Sequence, residues 1–186
     1  WNWVSDSNDP NNVKIEEVIR SKIVLNKPTG ELTKADLEKV TTLYLDDKKL
    51  TNVKGLEKLT QLTFLDLRGN QLTEVPKELE KLTQLRRLVL TGNNLTDVKG
   101  LEKLTQLWGL WLNGNQLTDL PKGLEKLTQL TTLNLERNQL TDVKGLEKLT
   151  QLERLHLNNN PDLTKAQIDE LKKALPNCKI YSNPTK

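Results

Sequence analysis

The chain has 186 residues, and its 28 lysine and arginine residues against 25 acidic residues give a net charge of +3. This charge is too small and too evenly spread for the basic stripe of a nucleic-acid-binding domain, so we expect no nucleic-acid partner. No apolar run approaches the roughly 18 residues that a membrane span needs. The single cysteine excludes an internal disulfide and a cysteine-based zinc site, and we expect no cofactor or metal.

The N-terminal part of the chain is predicted to form an arm and then a helical cap. Residues 1–12 are polar, which predicts a flexible arm whose two tryptophans could dock, pair with another molecule or hang free. Thr33 followed by Asp36 is a capping signal that predicts a short helix. Residues 13–40 are therefore predicted to be a helical cap, and its first helix has an apolar stripe formed by Ile15, Val18, Ile19 and Ile23.

A motif of 22 or 23 residues repeats through the centre of the chain. Each copy reads L-x-x-L-x-L-x-x-N, first at residues 62–70 and then in copies that end at Asn93, Asn115, Asn138 and Asn160. The longer copies carry Pro76 or Pro121. This spacing is the signature of a leucine-rich repeat. We predict an α/β solenoid of about five and a half to six copies over residues 41–162, with a curved parallel sheet on the concave face and short 3₁₀ or extended segments opposite.

The repeat motif assigns a direction to each side chain. In the L-x-L part of the copy at residues 62–70, Leu65 and Leu67 are predicted to point into the core and Asp66 to point out, because alternate side chains of a strand lie on opposite faces. The recurring asparagine is expected to hydrogen-bond buried backbone groups where the strand turns away. A ladder of asparagines should therefore run along the solenoid.

The C-terminal residues 163–186 are predicted to form a cap helix and a tail. Thr164 and Gln167 form a capping-box pattern. An extended segment is expected over residues 177–181. The helix should cover the last repeat with an apolar stripe formed by Ile168, Leu171 and Leu175.

Two segments carry a resemblance to a known family. Residues 32–62, LTKADLEKVTTLYLDDKKLTNVKGLEKLTQL, resemble the junction between helical cap and first repeat in the bacterial internalins. Residues 163–181, LTKAQIDELKKALPNCKIY, resemble the terminal cap of secreted bacterial repeat proteins. The resemblance covers about residues 13–181 and implies an internalin-like repeat fold. It also implies a secreted or cell-surface bacterial protein, unless the chain is synthetic.

The solvent-facing strand positions form three predicted columns on the concave face. They hold Thr42, Phe64, Arg87, Gly109, Thr132 and Arg154; then Tyr44, Asp66, Val89, Trp111, Asn134 and His156; then Asp46, Arg68, Thr91, Asn113, Glu136 and Asn158. Gly109 is expected to leave an empty slot between Trp108 and Trp111. Aromatic and arginine side chains on a rigid face are typical of binding hot spots. The candidate ligand-binding residues are Tyr44, Phe64, Asp66, Arg68, Arg87, Val89, Trp108, Trp111, Asn134, Glu136, Arg154 and His156.

No constellation in the sequence predicts catalysis. His156 is the only histidine and has no nucleophile at a recognisable spacing. Asp46 and Asp47 are adjacent on a strand, so their carboxylates should point to opposite sides. Cys178 is expected to be a small apolar residue of the cap. We therefore predict that the chain is not an enzyme.

Two hypotheses for the function remain open from the sequence. The string GLEKLTQ is almost unchanged between copies, whereas the strand-face positions differ in every copy. Selection for a partner on the concave face would produce this pattern, and we expect a monomeric module that binds a protein or peptide there. A designed or consensus scaffold with no natural ligand would also show near-perfect repetition.

Overall fold

A computed structural model describes residues 3–186 as three helices and seven strands. The helices are α1 (Pro10–Arg20), α2 (Lys34–Leu37) and α3 (Lys165–Ala174). Five 3₁₀ segments lie between the strands, at Leu56–Lys58, Lys77–Lys81, Leu101–Lys103, Leu124–Lys126 and Leu146–Lys148. The strands are β1 (Thr42–Tyr44), β2 (Phe64–Asp66), β3 (Arg87–Val89), β4 (Gly109–Trp111), β5 (Thr132–Asn134), β6 (Arg154–His156) and β7 (Lys179–Tyr181).

The seven strands form one parallel sheet in the order of the sequence. Their central residues align across it, namely Leu43, Leu65, Leu88, Leu110, Leu133, Leu155 and Ile180. The six leucines of this row are fully buried, because each points away from the concave face into the core. The predicted α/β solenoid is therefore confirmed, and the extended segment predicted at residues 177–181 contains its seventh strand.

Asparagine side chains hold the turns that follow the strands. Asn115 donates to the backbone oxygens of Leu90 and Leu112, each at 3.0 Å, and accepts from the backbone N–H of Leu95 at 3.1 Å. The same pattern recurs at the other repeats, and each of the five asparagines is buried. Since a buried backbone group without a partner is costly, the ladder accounts for the recurrence of this residue type. The predicted ladder is confirmed.

The side opposite the sheet is built from short 3₁₀ segments, as predicted. In the 22-residue copy that contains the 3₁₀ segment Leu101–Lys103, the preceding Gly100 has a φ of 102°, which residues other than glycine rarely adopt. In the 23-residue copy at Lys77–Lys81, Pro76 occupies the equivalent cap with a φ of −59°. The chain therefore enters this 3₁₀ segment through a proline turn, whereas in the 22-residue copy it enters through a glycine with positive φ.

The predicted flexible arm is wrong for residues 3–12. Helix α1 already begins at Pro10, where the side chain of Asp9 accepts from the N–H of Asn11 and caps the first turn. The helix ends at Arg20, so Ile23 lies beyond it and is 85% exposed. The apolar stripe predicted for this helix therefore stops at the buried Ile19, and Ile23 takes no part in it.

Trp3 anchors the segment before α1. Its indole packs against Gly55, its Nε1 donates to Glu16 at 3.0 Å, and its backbone N–H donates to Leu32 at 3.1 Å. The residue is only 5% exposed, so this tryptophan docks on the first repeat and covers its end. Trp1 lies outside the described residues.

The capping box predicted at Thr164 is present, and the capping signal predicted at Thr33 is a capping box as well. Thr33 and Asp36 bond reciprocally at the start of α2, and Thr164 and Gln167 do so at the start of α3. A hydrogen bond from Lys27 to the carboxylate of Asp36, at 2.6 Å, holds the pKa of Asp36 well below its usual range. No helix among residues 3–186 is long and apolar enough to cross a membrane.

Candidate protein-binding surface

The register of the sheet brings the predicted columns together. Phe64 aligns with Arg87, and Arg87 aligns with Gly109. In the neighbouring column Val89 aligns with Trp111, and the row continues through β5 to His156 on β6. Parallel strands lie about 4.8 Å apart, so these side chains form one continuous concave surface.

Four side chains at one end of this surface form an aromatic cluster, which consists of Tyr44, Phe64, Arg87 and Trp108. The rings of Tyr44 and Phe64 meet edge to face with centroids 5.2 Å apart. The guanidinium carbon of Arg87 lies 4.3 Å from the centroid of Phe64 and 5.5 Å from that of Trp108. Cation–π contacts on two sides therefore fix the position of this arginine.

The members of the cluster differ in their exposure. Tyr44 is 51% exposed and Trp108 is 39% exposed, whereas Phe64 is only 8% exposed and Val89, in the next column, 7%. We expected Phe64 and Val89 to be part of the contact surface, and burial contradicts this for both. Phe64 lies beneath Arg87 and beside Tyr44, so it supports the groups that a partner would meet.

The empty slot predicted at Gly109 is filled. A Cβ atom on this glycine would lie 2.6 Å from the indole of Trp111, so the ring lies directly over position 109. Trp111 is half-buried as a result. Glycine is required here because a side chain would displace the ring, and the two tryptophans do not flank an open pocket.

Asp66 is buried although its strand position faces the concave side. Its side chain is 1% exposed, and Arg68 covers it with hydrogen bonds of 2.5 to 3.0 Å to both carboxylate oxygens. These bonds, opposed by desolvation, raise the pKa of the Arg68 guanidinium above its usual value. The pair compensates its own charges, so Asp66 is a support for Arg68 and is not a separate contact residue.

The other end of the concave surface carries a polar cluster, formed by Asn134, Glu136, His156, Asn158 and Tyr181. The rings of His156 and Tyr181 stack with centroids 4.5 Å apart. Glu136 lies 3.5 Å from Nδ1 of His156 and accepts from Asn158 at 3.2 Å. Asn134 accepts from the backbone N–H of Glu136 at 3.0 Å.

Tyr181 was missed by the sequence reasoning. It belongs to the C-terminal cap, where the leucine motif is absent and the spacing from His156 is longer than one repeat. Ile180 lies between Lys179 and Tyr181 in the chain, and this polar–apolar alternation is the signal that could have indicated a seventh strand.

In the described part of the chain, the histidine, cysteine and acidic side chains form no metal-binding group. Burial raises the pKa of the half-buried Cys178 thiol, which weakens it as a nucleophile at neutral pH. The concave side of residues 3–186 thus presents rings, amides and charges.

A family model described as a leucine-rich repeat region matches residues 19–180. The chain belongs to the leucine-rich repeat family. Its relatives of known structure include two internalins of Listeria monocytogenes. The chain shares 27% identity with inlF, at a TM-score of 0.72, covering 95% of this chain and 60% of that one. For inlC2 the identity is 25% and the TM-score 0.69, with 95% and 89% covered.

A leucine-rich repeat protein of Leptospira interrogans is similar as well, with 34% identity and a TM-score of 0.69. This likeness covers 78% of the present chain and 38% of the Leptospira protein. The chain thus spans about 60% of inlF and a smaller share of the Leptospira protein. Together with the family model, these structures confirm the internalin-like resemblance inferred from the sequence.

Proposed function

We propose that this chain is a non-enzymatic module that binds a partner protein or peptide through its concave surface. The observation that carries the proposal is the aromatic cluster, in which Tyr44 and Trp108 remain exposed on a rigid sheet. Large aromatic and arginine side chains held in fixed positions contribute most of the binding energy in protein interfaces. The leucine-rich repeat fold is itself typical of protein-interaction modules.

The structure-based contact set is narrower than the set predicted from the sequence. Its aromatic part comprises Tyr44, Arg87, Trp108 and Trp111, with Phe64 and Val89 beneath. Its polar part comprises Arg68, Asn134, Glu136, Arg154 and His156, to which we add Tyr181. We propose that the module acts as a monomer, and that it is secreted or displayed on a bacterial surface as its internalin relatives imply.

A designed or consensus scaffold without a natural ligand is the second candidate. It is favoured by the string KGLEKLTQL, which begins without change at Lys54, Lys99, Lys122 and Lys144. Several positions of this string are solvent-accessible, and the fold alone does not fix them. The two candidates differ in one respect that can be measured, namely whether the concave surface has a partner.

A pull-down with matched variants tests the proposal. The bait proteins are the parent chain, the double variant Trp108→Ala, Arg87→Ala, and a control Lys99→Ala, Lys144→Ala on the side opposite the sheet. We expect the parent and the control to capture the same partner and the concave variant to lose it. Truncating two hot-spot residues typically weakens binding by about 2 kcal/mol or more each. Calorimetric melts establish that all three baits are folded.

Two outcomes would count against a concave receptor. If the concave variant retains the captured protein as well as the parent does, binding takes place on another face. If no protein is captured from host-cell, serum or bacterial extracts by any bait, the scaffold candidate is favoured.

A further inference from the structure

We infer that the partner contributes an acidic segment that lies across the N-terminal ends of strands β3 to β7. This inference rests on the proposed function and specifies the chemistry of the partner at the same surface. The residues that carry it form a basic edge, which we define as Arg86, Arg87, Arg154 and Lys179.

The basic edge has no internal charge compensation. Each of its four side chains is exposed, and within residues 3–186 none lies within 4.0 Å of a carboxylate oxygen. Arg68, at the C-terminal end of β2, is instead bound to Asp66 at 2.5 Å. The structure thus distinguishes an arginine held by the protein itself from arginines left available to a partner.

Arg87 is fixed before any partner arrives. Its guanidinium lies between the rings of Phe64 and Trp108, at 4.3 and 5.5 Å from their centroids. Holding an arginine in one position reduces the entropy that binding must otherwise remove. A guanidinium in this position can still donate hydrogen bonds to a carboxylate, because a cation–π contact does not consume an N–H donor.

The spacing of the basic edge specifies the occupant. Arg87 on β3 and Arg154 on β6 are three strands apart, which corresponds to about 14 Å. The positions between them are Gly109, which the indole of Trp111 covers, and Thr132, and neither position carries a charge. An extended peptide advances about 3.3 Å per residue, so carboxylates four residues apart would reach both arginines.

The charges around the edge favour an acidic peptide over a nucleic acid. Glu153 lies on the same edge, and Asp46 and Glu136 lie at the opposite ends of the strands. A continuous phosphate backbone that crossed the surface would approach these carboxylates, whereas a peptide can place neutral residues against them. The net charge of only +3 agrees with a local contact to a few carboxylates.

Selection from a library of displayed random twelve-residue peptides tests the inference. The parent chain is the target, and excess Arg87→Gln, Arg154→Gln protein is the soluble competitor that removes binders to all other surfaces. We expect enrichment of peptides with two aspartate or glutamate residues four positions apart. Affinities of enriched peptides, measured by fluorescence polarisation, should fall about tenfold for each Arg→Gln change, as for loss of a charge-assisted hydrogen bond.

A charge-matched control is available on the opposite side. The variant Lys99→Gln, Lys144→Gln removes the same charge and should bind the enriched peptides as the parent does. The affinities should also decrease with rising salt, since the contacts are between exposed charges.

Three results would overturn the inference. The first is enrichment of peptides without an excess of acidic residues. The second comes from a parallel selection without the competitor: binders that are lost with Trp108→Ala but unaffected by the arginine changes would overturn the inference and leave the proposed function intact. The third is an oligothymidylate of twelve nucleotides that binds as tightly as the peptides with the same loss in both arginine variants, which would assign the edge to phosphate.

Discussion

Replacing Asn115 with alanine is expected to lower the free energy of unfolding by about 3 kcal/mol. The carbonyl oxygens of Leu90 and Leu112 would each keep one partner, because Asn93 also donates to Leu90 and Asn138 to Leu112. The buried N–H of Leu95 has Asn115 as its side-chain acceptor and would lose it. The effect combines two lost hydrogen bonds with one unsatisfied buried donor. Urea unfolding followed by circular dichroism measures it.

The neighbouring Asn94 provides a matched control for this substitution. Its side chain is exposed, so Asn94→Ala should change the free energy of unfolding by no more than about 0.5 kcal/mol. If both variants unfolded at the same urea concentration, the asparagine ladder would not hold the turns as the structure implies.

Replacing Trp3 with alanine is expected to cost about 3 kcal/mol of stability, the lower end of the range for a buried tryptophan. The indole is 5% exposed, packs on Gly55, and donates to Glu16. Removing it would expose the end of the first repeat and leave a cavity. The same urea titration measures the loss, and the exposed Val4, which is 73% accessible, serves as the control position for Val4→Ala.

This second result decides between two views of the N-terminus. A flexible arm, as the polar composition suggested, predicts that Trp3→Ala leaves the unfolding midpoint where it is. The docked segment of the structure predicts a shift, since the first repeat would otherwise present an uncovered apolar edge. An unchanged midpoint would therefore restore the arm and contradict the anchoring contact.

The repeat region could be predicted from the sequence because each copy repeats one set of physical constraints. Alternation around Leu65 and Leu67 defines the strand, and Asn70 defines the turn after it. The register then follows, since each strand is offset by one repeat from the next. The columns of the concave surface were correct for the same reason.

The predictions that were wrong concern side-chain contacts between positions that have no fixed relation in the repeat. The folding of Trp111 over Gly109 and the burial of Asp66 by Arg68 follow from particular pairs of side chains. Composition suggested disorder before α1, but Trp3 packs on Gly55, which lies 52 positions further along the chain. Periodicity carries no information about such pairs.

Side chains on the concave surface differ in burial. Phe64 and Val89 are buried and support that surface, and Tyr44 and Trp108 remain exposed. An almost constant framework can carry varied residues on this surface, because the buried leucines and the turn asparagines recur from repeat to repeat and do not depend on the exposed strand positions. If the proposed function is correct, changes at exposed strand positions would alter the partner and leave the solenoid intact.

Hydroxyl-radical footprinting of the purified complex tests most directly whether the concave surface is the binding face. We predict that oxidation of Tyr44 and Trp108 becomes several-fold slower when the partner is bound. Oxidation of Val4 and Ile23, which are exposed away from the sheet, should be unchanged. Protection of Ile23 with undiminished oxidation of both aromatic residues would place the partner elsewhere and contradict binding at the concave surface.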